Sequence, residues 1–430
     1  MSTPTATDLL PRLTDAAAGA VRDGGNGDGV DGMPCRWVVS PADTAGVSAV
    51  LRVAHEEGLA VVVRGAGTKL GWGAPPERLD IVLDTTRLDA LVEHAAGDLI
   101  AVVGAGRRLD DLQADLGAAS QWFAVDPARC GTLGGLVATA DGGPSRLLHG
   151  PVRDLVIGAT MVRADGVVAK SGGKVVKNVA GYDLGKLLTG SLGTLGVITE
   201  VAVRLHPVAP AHRYVTVPVA STRHAHALVQ GVIHSHLVAT ACELDQPADG
   251  AATLAILLDG IPPGVEARTA GALELLGAGA EASDDPPVWW GTEPGAPDDV
   301  RLKLTHEIAS VTALLDIVAE TSDRLSIPVD VRGSVAVGTV TAALRAVHDR
   351  AAVADLVETL RAACSRSVGT GGTGGTGGTG GTVVVRDADP DTKARLDVWG
   401  PVPALDLMRR VKHQLDPTRV LAPGRFVGGI

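Results

Sequence analysis

Three glycine-dense segments hold the residues whose types and spacing could do chemistry. In the stretch 170–207, Gly190, Gly193 and Gly196 alternate with Ser191 and Thr194. Glycine tolerates positive φ and lets another group approach the backbone closely, so the N–H groups and hydroxyls of this turn system can face a phosphate or a flavin edge. Val197 and Ile198 open the following run VITEVAVRL, whose apolar–polar alternation reads as a half-buried strand with the glycine loop at a strand edge. Upstream, VVVRGAGTKLGWG (61–73) is a β-branched run feeding a tight loop of Arg64, Gly65, Ala66, Gly67 and Thr68. Arg64 offers charge there and Thr68 a hydroxyl. The third segment, DPARCGTLGGLVATADGG (126–143), has the same character. Pro127, Thr132, Gly134, Gly135, Ala138 and Thr139 leave little side-chain bulk, so backbone amides could line a diphosphate. Neither upstream loop has the strand–turn–helix and ribose acid of a G-x-G-x-x-G fingerprint, and no G-x-x-x-x-G-K-[ST] run occurs. Rossmann and P-loop readings are therefore disfavoured.

Groups able to move a proton or hold a carboxylate should lie near these loops. His149, in RLLHGPVRD, could serve as a base or contact a cofactor, or be a structural histidine bonded to backbone. Lys177, Asn178, Tyr182, Asp183 and Lys186 form a polar cluster just before the loop of Gly190, Gly193 and Gly196. Either they build a scaffold, with Asp183 paired to a lysine and Tyr182 ordering the turn, or they serve cofactor or substrate. His224 and His226, like His234 and His236, are two residues apart; on a helix such pairs point to different faces, so no metal site is expected.

The elements that must position these groups follow from the pattern. LLPRLTDAAAGAV reads as a helix, and GGNGDGVDG (24–32) as a flexible connection. RWVVS, then PADTAGVSAVLRVAHEEG, then LAVVVRG reads as strand, helix, strand, with Asp43 as N-cap and Gly58 as C-cap. LIAVVGAG leads into a helix that places Leu109, Leu112 and Leu116 on one face. After Pro210 the character changes, with strand-like YVTVPVA and ATLAILLDG, helical RHAHALVQGVIHS, and later helices expected at VTAALRAV and VADLVETLRAAC. The period-three run Gly369–Thr382 reads as an extended surface loop, after which VVVRDADP resumes a strand.

Composition bounds the function. With 430 residues the chain can hold two domains and a substantial core. A net charge of −11 makes nucleic acid an unsuitable partner, because phosphate binding needs a basic surface. The four cysteines, Cys35, Cys130, Cys242 and Cys364, form no C-x-x-C, which argues against an iron–sulfur cluster or zinc ribbon in this chain. No signal peptide and no long uncharged apolar run is evident, so the expectation is a cytoplasmic protein without direct membrane insertion.

Together the three loops resemble the FAD-binding domain of the vanillyl-alcohol oxidase and p-cresol methylhydroxylase (PCMH) family, and within it most the glycolate oxidase type. The resemblance runs from about Cys35 to Pro207 and returns in VWGPVPALDLMRRVKHQLDPTRVLAPGRF near the C-terminus. It implies an α+β fold, a two-subdomain PCMH-type FAD-binding domain with an α+β cap. The implied division is an N-terminal extension (1–34), the FAD domain (35–210), a cap completing the substrate pocket (211–382), and a C-terminal segment (383–430) returning to the FAD domain. FAD would be held non-covalently, since no histidine stands in the first loop. Arg64–Thr68 and Pro127–Thr139 would lie on the pyrophosphate, and Arg153, Asp154 and Gly190–Ile198 by the ribityl, adenine and isoalloxazine parts. His149, Lys177, Tyr182 and Arg425 are the catalytic candidates, Arg425 reaching the active site by resemblance or forming a terminal ion pair. The implied activity is oxidation of a small 2-hydroxy acid such as glycolate, with electrons passing through FAD, in a complex with a companion flavoprotein and iron–sulfur subunits. A self-sufficient dehydrogenase and a non-catalytic flavin-binding subunit are the alternatives. Leu192 stands where such catalytic relatives carry a Glu, and their EHG-type metal motif does not occur.

Overall fold

The computed structural model describes residues 6–173, 182–345, 349–366 and 381–430. Helices and three main sheets alternate through it. In the first sheet Trp37–Val39, Ile81–Asp84 and Val61–Arg64 run parallel, and Val21–Asp23 adds an antiparallel edge. Parallel neighbours need a crossover. Helix Thr44–Glu57 supplies it; the Asp43 carboxylate caps the first turn by accepting from Gly46 N–H, and Gly58 closes the last turn at φ 65°. The last residues of the chain join this sheet, with Val61 N–H donating to Val420 and Ala422 N–H donating to Val61.

The second sheet is antiparallel, in the order Leu91–Ala95, Ile100–Gly104, Val197–Arg204, Val156–Val162, Val168–Gly172. Val197–Arg204 is its central strand and is buried on both faces up to Val203, not half-buried as its alternation suggests. The two polar residues of that alternation, Thr199 and Glu200, are satisfied within the sheet through Thr160. Leu109, Leu112 and Leu116 pack together under this sheet with Leu133, Leu136 and Phe123.

The third sheet has eight antiparallel strands, ordered Glu281–Ser283, Ala211–Val219, Ala252–Gly260, Ala241–Gln246, Val329–Gly333, Thr339–Leu344, Val300–Thr305, Thr382–Asp387. One face carries Cys242, Leu244, Leu302, Leu304, Val383 and Val385 against Leu228, Val232, Leu314, Val318, Leu356 and Leu360 of its helices. Strand Thr382–Asp387 belongs to this sheet, so the chain returns to the first sheet only after it. Two local expectations are corrected. VTAALRAV begins as the strand Thr339–Leu344 and is not a helix: its Ala and Leu residues favour helix locally, but pairing with strands on both sides decides the outcome. GGNGDGVDG is no loose connection either, because Asp28 is buried on Arg22 and Arg64, and Asp31 pairs with Lys393 at 2.9 Å. The repeat residues 369–380 lie outside the described residues. No described helix is long and apolar enough to cross a membrane.

Candidate functional site

The three glycine segments meet around one cleft. Arg64–Thr68 leave the end of a parallel strand. Opposite them, Thr132, Gly134, Gly135, Ala138 and Thr139 belong to the short helix Leu133–Thr139 and its N-cap, where the Thr132 hydroxyl accepts from Gly135 N–H. Leu192, Gly193, Gly196 and Ile198 close the third side. Gly65 is required by this contact, since a Cβ there would lie 2.0 Å from Thr132 Oγ1. Gly193 is required by its backbone, at φ 73°. Buried Lys412 fastens the third loop to the C-terminal segment: its ammonium donates to the carbonyls of Thr194 and Leu421 at 2.8 Å each and pairs with Asp416 at 2.6 Å.

The cleft is built for an anion with apolar flanks. Among the described residues no Asp or Glu lines it, and its polar groups are amides, threonine hydroxyls, the Trp72 indole and the cations Arg64, Lys69 and Arg425. Arg64 is not a free charge, however. Its guanidinium is held 2.9 Å from both Asp28 and Asp84, so the backbone of residues 65–68, more than that side chain, faces the cleft. Arg425 forms no ion pair among the described residues; its Nη2 donates to the carbonyls of Leu70, at 2.6 Å, and Trp72, while Nε has no partner. Burial pushes its pKa down to about 10, opposed by the field of Asp31.

Other expected residues fall elsewhere. Ser191 and Thr194 are buried inside their own turn, where the Thr194 hydroxyl donates to the Ser191 carbonyl at 2.7 Å. Pro127 and Val197 are buried behind the cleft, and Gly190 N–H is tied to the Val137 carbonyl. Arg153 and Asp154 are exposed and off the cleft. Tyr182 is 94% exposed. His149 packs its ring 5.4 Å from Trp122 and 4.5 Å from His206, away from the cleft, and burial pushes its pKa down to about 4. Its neighbours there are rings, not the lining of the cleft. Lys177 and Asn178 lie outside the described residues.

A second chamber opens between the end of the second loop and the eight-stranded sheet. Asp141 and Arg146 come from the loop side; Glu243, Lys303, Arg332 and Arg386 come from the sheet. The two cavities share a wall. Lys69 and Trp72 line the cleft, Lys69 pairs with Asp141 at 3.2 Å, Asp141 with Arg386 at 3.3 Å, and the Arg386 guanidinium lies 4.2 Å from the centre of the Trp72 ring. Arg129, on the second loop, clamps the sheet to it through a bidentate contact with Asp387, at 2.9 and 2.7 Å, and a bond to Glu293. Inside the chamber, burial raises the Glu243 carboxyl to about 8 against the opposing hydrogen bond from Ser334. Burial, reinforced by Arg386 and Arg146, pushes the Lys303 ammonium down to about 8. None of these side chains was singled out from the sequence. The available signal was alternation: Leu302 and Leu304, or Val383 and Val385, turn to the core, which leaves Lys303 and Arg386 on the opposite face.

Residues 35–172 match the pattern of the FAD binding domain family. This stretch is an FAD-binding domain. It holds the first two loops of the cleft, while the third loop and Arg425 are added from later in the chain. The chain is 41% identical over 174 residues to a D-lactate dehydrogenase of Archaeoglobus fulgidus, covering 40% of this chain and 38% of that protein. It is 32% identical over 213 residues to glycolate oxidase subunit GlcD of Bacillus subtilis, covering 49% and 45%. It is 35% identical over 150 residues to glycolate oxidase subunit GlcE of Escherichia coli, covering 34% and 42%. These matches span less than half of each relative. A solved alkyldihydroxyacetonephosphate synthase superposes on 99% of this chain and 87% of its own, with a TM-score of 0.71 at 15% identity. The FAD-binding domain and the eight-stranded cap thus form one known fold.

Proposed function

We propose that the chain is a flavoprotein that oxidises a small 2-hydroxy acid to the 2-oxo acid, with FAD held non-covalently in the glycine-lined cleft and the acid in the adjoining chamber. The observation that carries this reading is the shared wall of Lys69, Trp72, Asp141 and Arg386, which sets a cationic chamber directly beside the cleft of an FAD-binding domain. Bound FAD supplies the acceptor for the hydride of the hydroxyl-bearing carbon. The protein's part is orientation. Arg146, Lys303 and Arg386 supply the positive charge that receives the acid, and Glu243, the one carboxyl of the chamber with a raised pKa, is placed to accept the hydroxyl proton in its ionised form, the minor form at pH 7. Backbone amides of 65–68, the turn at Thr132–Gly135 and the Leu192–Gly196 loop take the cofactor, with Arg425 behind the first loop.

The chain acts in this reading within a larger assembly, with a companion flavoprotein and an iron–sulfur subunit receiving electrons. Two of the similar proteins are named as subunits of glycolate oxidase, and Leu192 lines the cleft at the position where an acid was expected for independent catalysis. The test is the visible spectrum of the purified chain during anaerobic addition of glycolate or D-lactate. Flavin bands that bleach support a dehydrogenase complete in one chain, and bands that persist until partner subunits are added support the assembly. A colourless protein that takes up no added FAD refutes the reading.

A further inference from the structure

We infer that the chamber accepts an acid carrying two anionic groups, one held by Arg146 and one by Lys303. The inference deepens the proposed function and rests on it for the identity of the reaction, while the charge argument stands on the chamber alone. Most ions around the chamber are matched. Arg332 pairs with Asp245 at 2.8 Å, Glu293 is taken by Arg129 and approached by Arg301, and Arg129 also holds Asp387. Two cations are not. Among the described residues Lys303 forms no ion pair or hydrogen bond through its side chain, and Arg146 has only the carbonyl of Gly143, 3.0 Å from its Nε. A third, Arg386, has Asp141 alone, and that carboxylate is shared with Lys69.

Glu243 does not restore the balance, because it is a neutral acid at pH 7, bonded to Ser334. Partly buried cations within one another's field, as the lowered pKa of Lys303 records, are unfavourable unless an anion arrives. One carboxylate neutralises one of the two unmatched charges and leaves the other desolvated. A ligand with two anionic groups neutralises both, and the neutral Glu243 then donates a hydrogen bond instead of repelling it. The second group is a carboxylate or a phosphate ester, both of which present negative charge and acceptor oxygens to a lysine or arginine.

The test uses ligands that are not oxidised. The full chain, with FAD, is titrated with succinate, 2-phosphoglycolate and butyrate, following the fluorescence of its tryptophans, of which Trp289 lines the chamber and Trp72 lies under Arg386. Succinate or phosphoglycolate is expected to bind at least about tenfold tighter than butyrate, the worth of one charge-assisted contact. Succinate over phosphoglycolate, or the reverse, tells which second group the site takes. Lys303→Gln and Arg146→Gln should each erase the preference while retaining the flavin bands, which report an intact fold. Equal binding of mono- and dianion by the unaltered chain, or a preference that survives both substitutions, overturns the inference. Should the chain take up no FAD, the same titration on the colourless protein still decides the charge claim, so the two readings fail separately.

Discussion

In the glycine-lined cleft the polar groups are mostly main-chain amides and hydroxyls of three short loops, whereas in the neighbouring chamber they are charged side chains brought from one loop and several strands of the eight-stranded sheet. The cleft needs the absence of side chains: Gly65 and Thr132 interlock only because no Cβ stands between them. The chamber needs their presence, and tunes them by burial and mutual charge. A backbone-built site tolerates little change in shape, while a side-chain-built site can change its ligand by changing one strand position. The contrast explains how an FAD-binding domain matched over residues 35–172 can sit beside a cap whose chemistry is its own.

The largest expected effect is at the interlock. Gly65→Val should abolish FAD retention, read as the ratio of flavin to protein absorbance, because the added carbons fall on Thr132; overpacking of this kind costs about 1–3 kcal/mol in stability as well. A Gly65→Val protein that keeps its full complement of flavin would break the account of the cleft. Next in size is the clamp. Arg129→Ala leaves Asp387 without its cation and Glu293 with only Arg301 at 3.6 Å, and should lower stability by about 1–3 kcal/mol in denaturant unfolding, with loss of anion binding greater than loss of FAD. Equal losses at both sites would show that the two regions are not separable.

The chamber makes a pH prediction of definite sign. Glu243 is raised from 4.5 to about 8 on folding, so between those values the folded chain binds a proton that the unfolded chain has lost, and stability falls as pH rises through that window. Ser334 and Arg146 oppose the shift, while burial and the field of Asp126 produce it. Glu243→Gln should remove this slope, gaining on the parent protein by on the order of 1–3 kcal/mol between pH 5 and about 8. Unfolding curves at several pH values check it, and parallel curves for the two proteins would contradict a buried neutral acid. As pH rises through about 8 Lys303 loses its charge and Glu243 gains one, so anion affinity should fall there on both counts. The smallest effect is expected at His149. His149→Phe keeps the ring packing with Trp122 and His206 and should leave flavin content and any substrate bleaching unchanged; a lost rate would return it to the site.

The same division decides what could be read from the chain before its structure. The Asp43 and Gly58 caps, the buried face of Leu109, Leu112 and Leu116, and the loops at Arg64–Thr68 and Thr132–Thr139 are local patterns, and each appears where its spacing puts it. What escaped depends on partners distant in sequence. Thr339–Leu344 looks helical until two strands claim it, and Asp28 looks like part of a spacer until Arg64 reaches it. Lys303, Glu243 and Arg386 are ordinary alternating strand residues, and only the packing of the sheet on the second loop converges them. His149 sits near the glycine loops in sequence, but its ring is drawn into the pair Gln121–Trp122 and His206–Pro207 instead.

The most direct test of the central claim, that the cleft binds FAD and the chamber presents an acid to it, is the visible spectrum of the purified chain, alone and then with its partner subunits, under anaerobic addition of glycolate, D-lactate and a hydroxydicarboxylate. The account predicts flavin bands in the isolated chain that bleach with at least one of these acids, in the chain itself or once the partners are present, and that do not bleach in Lys303→Gln. A chain that stays colourless after incubation with FAD, or flavin bands that no hydroxy acid bleaches even in the assembled complex, would contradict it.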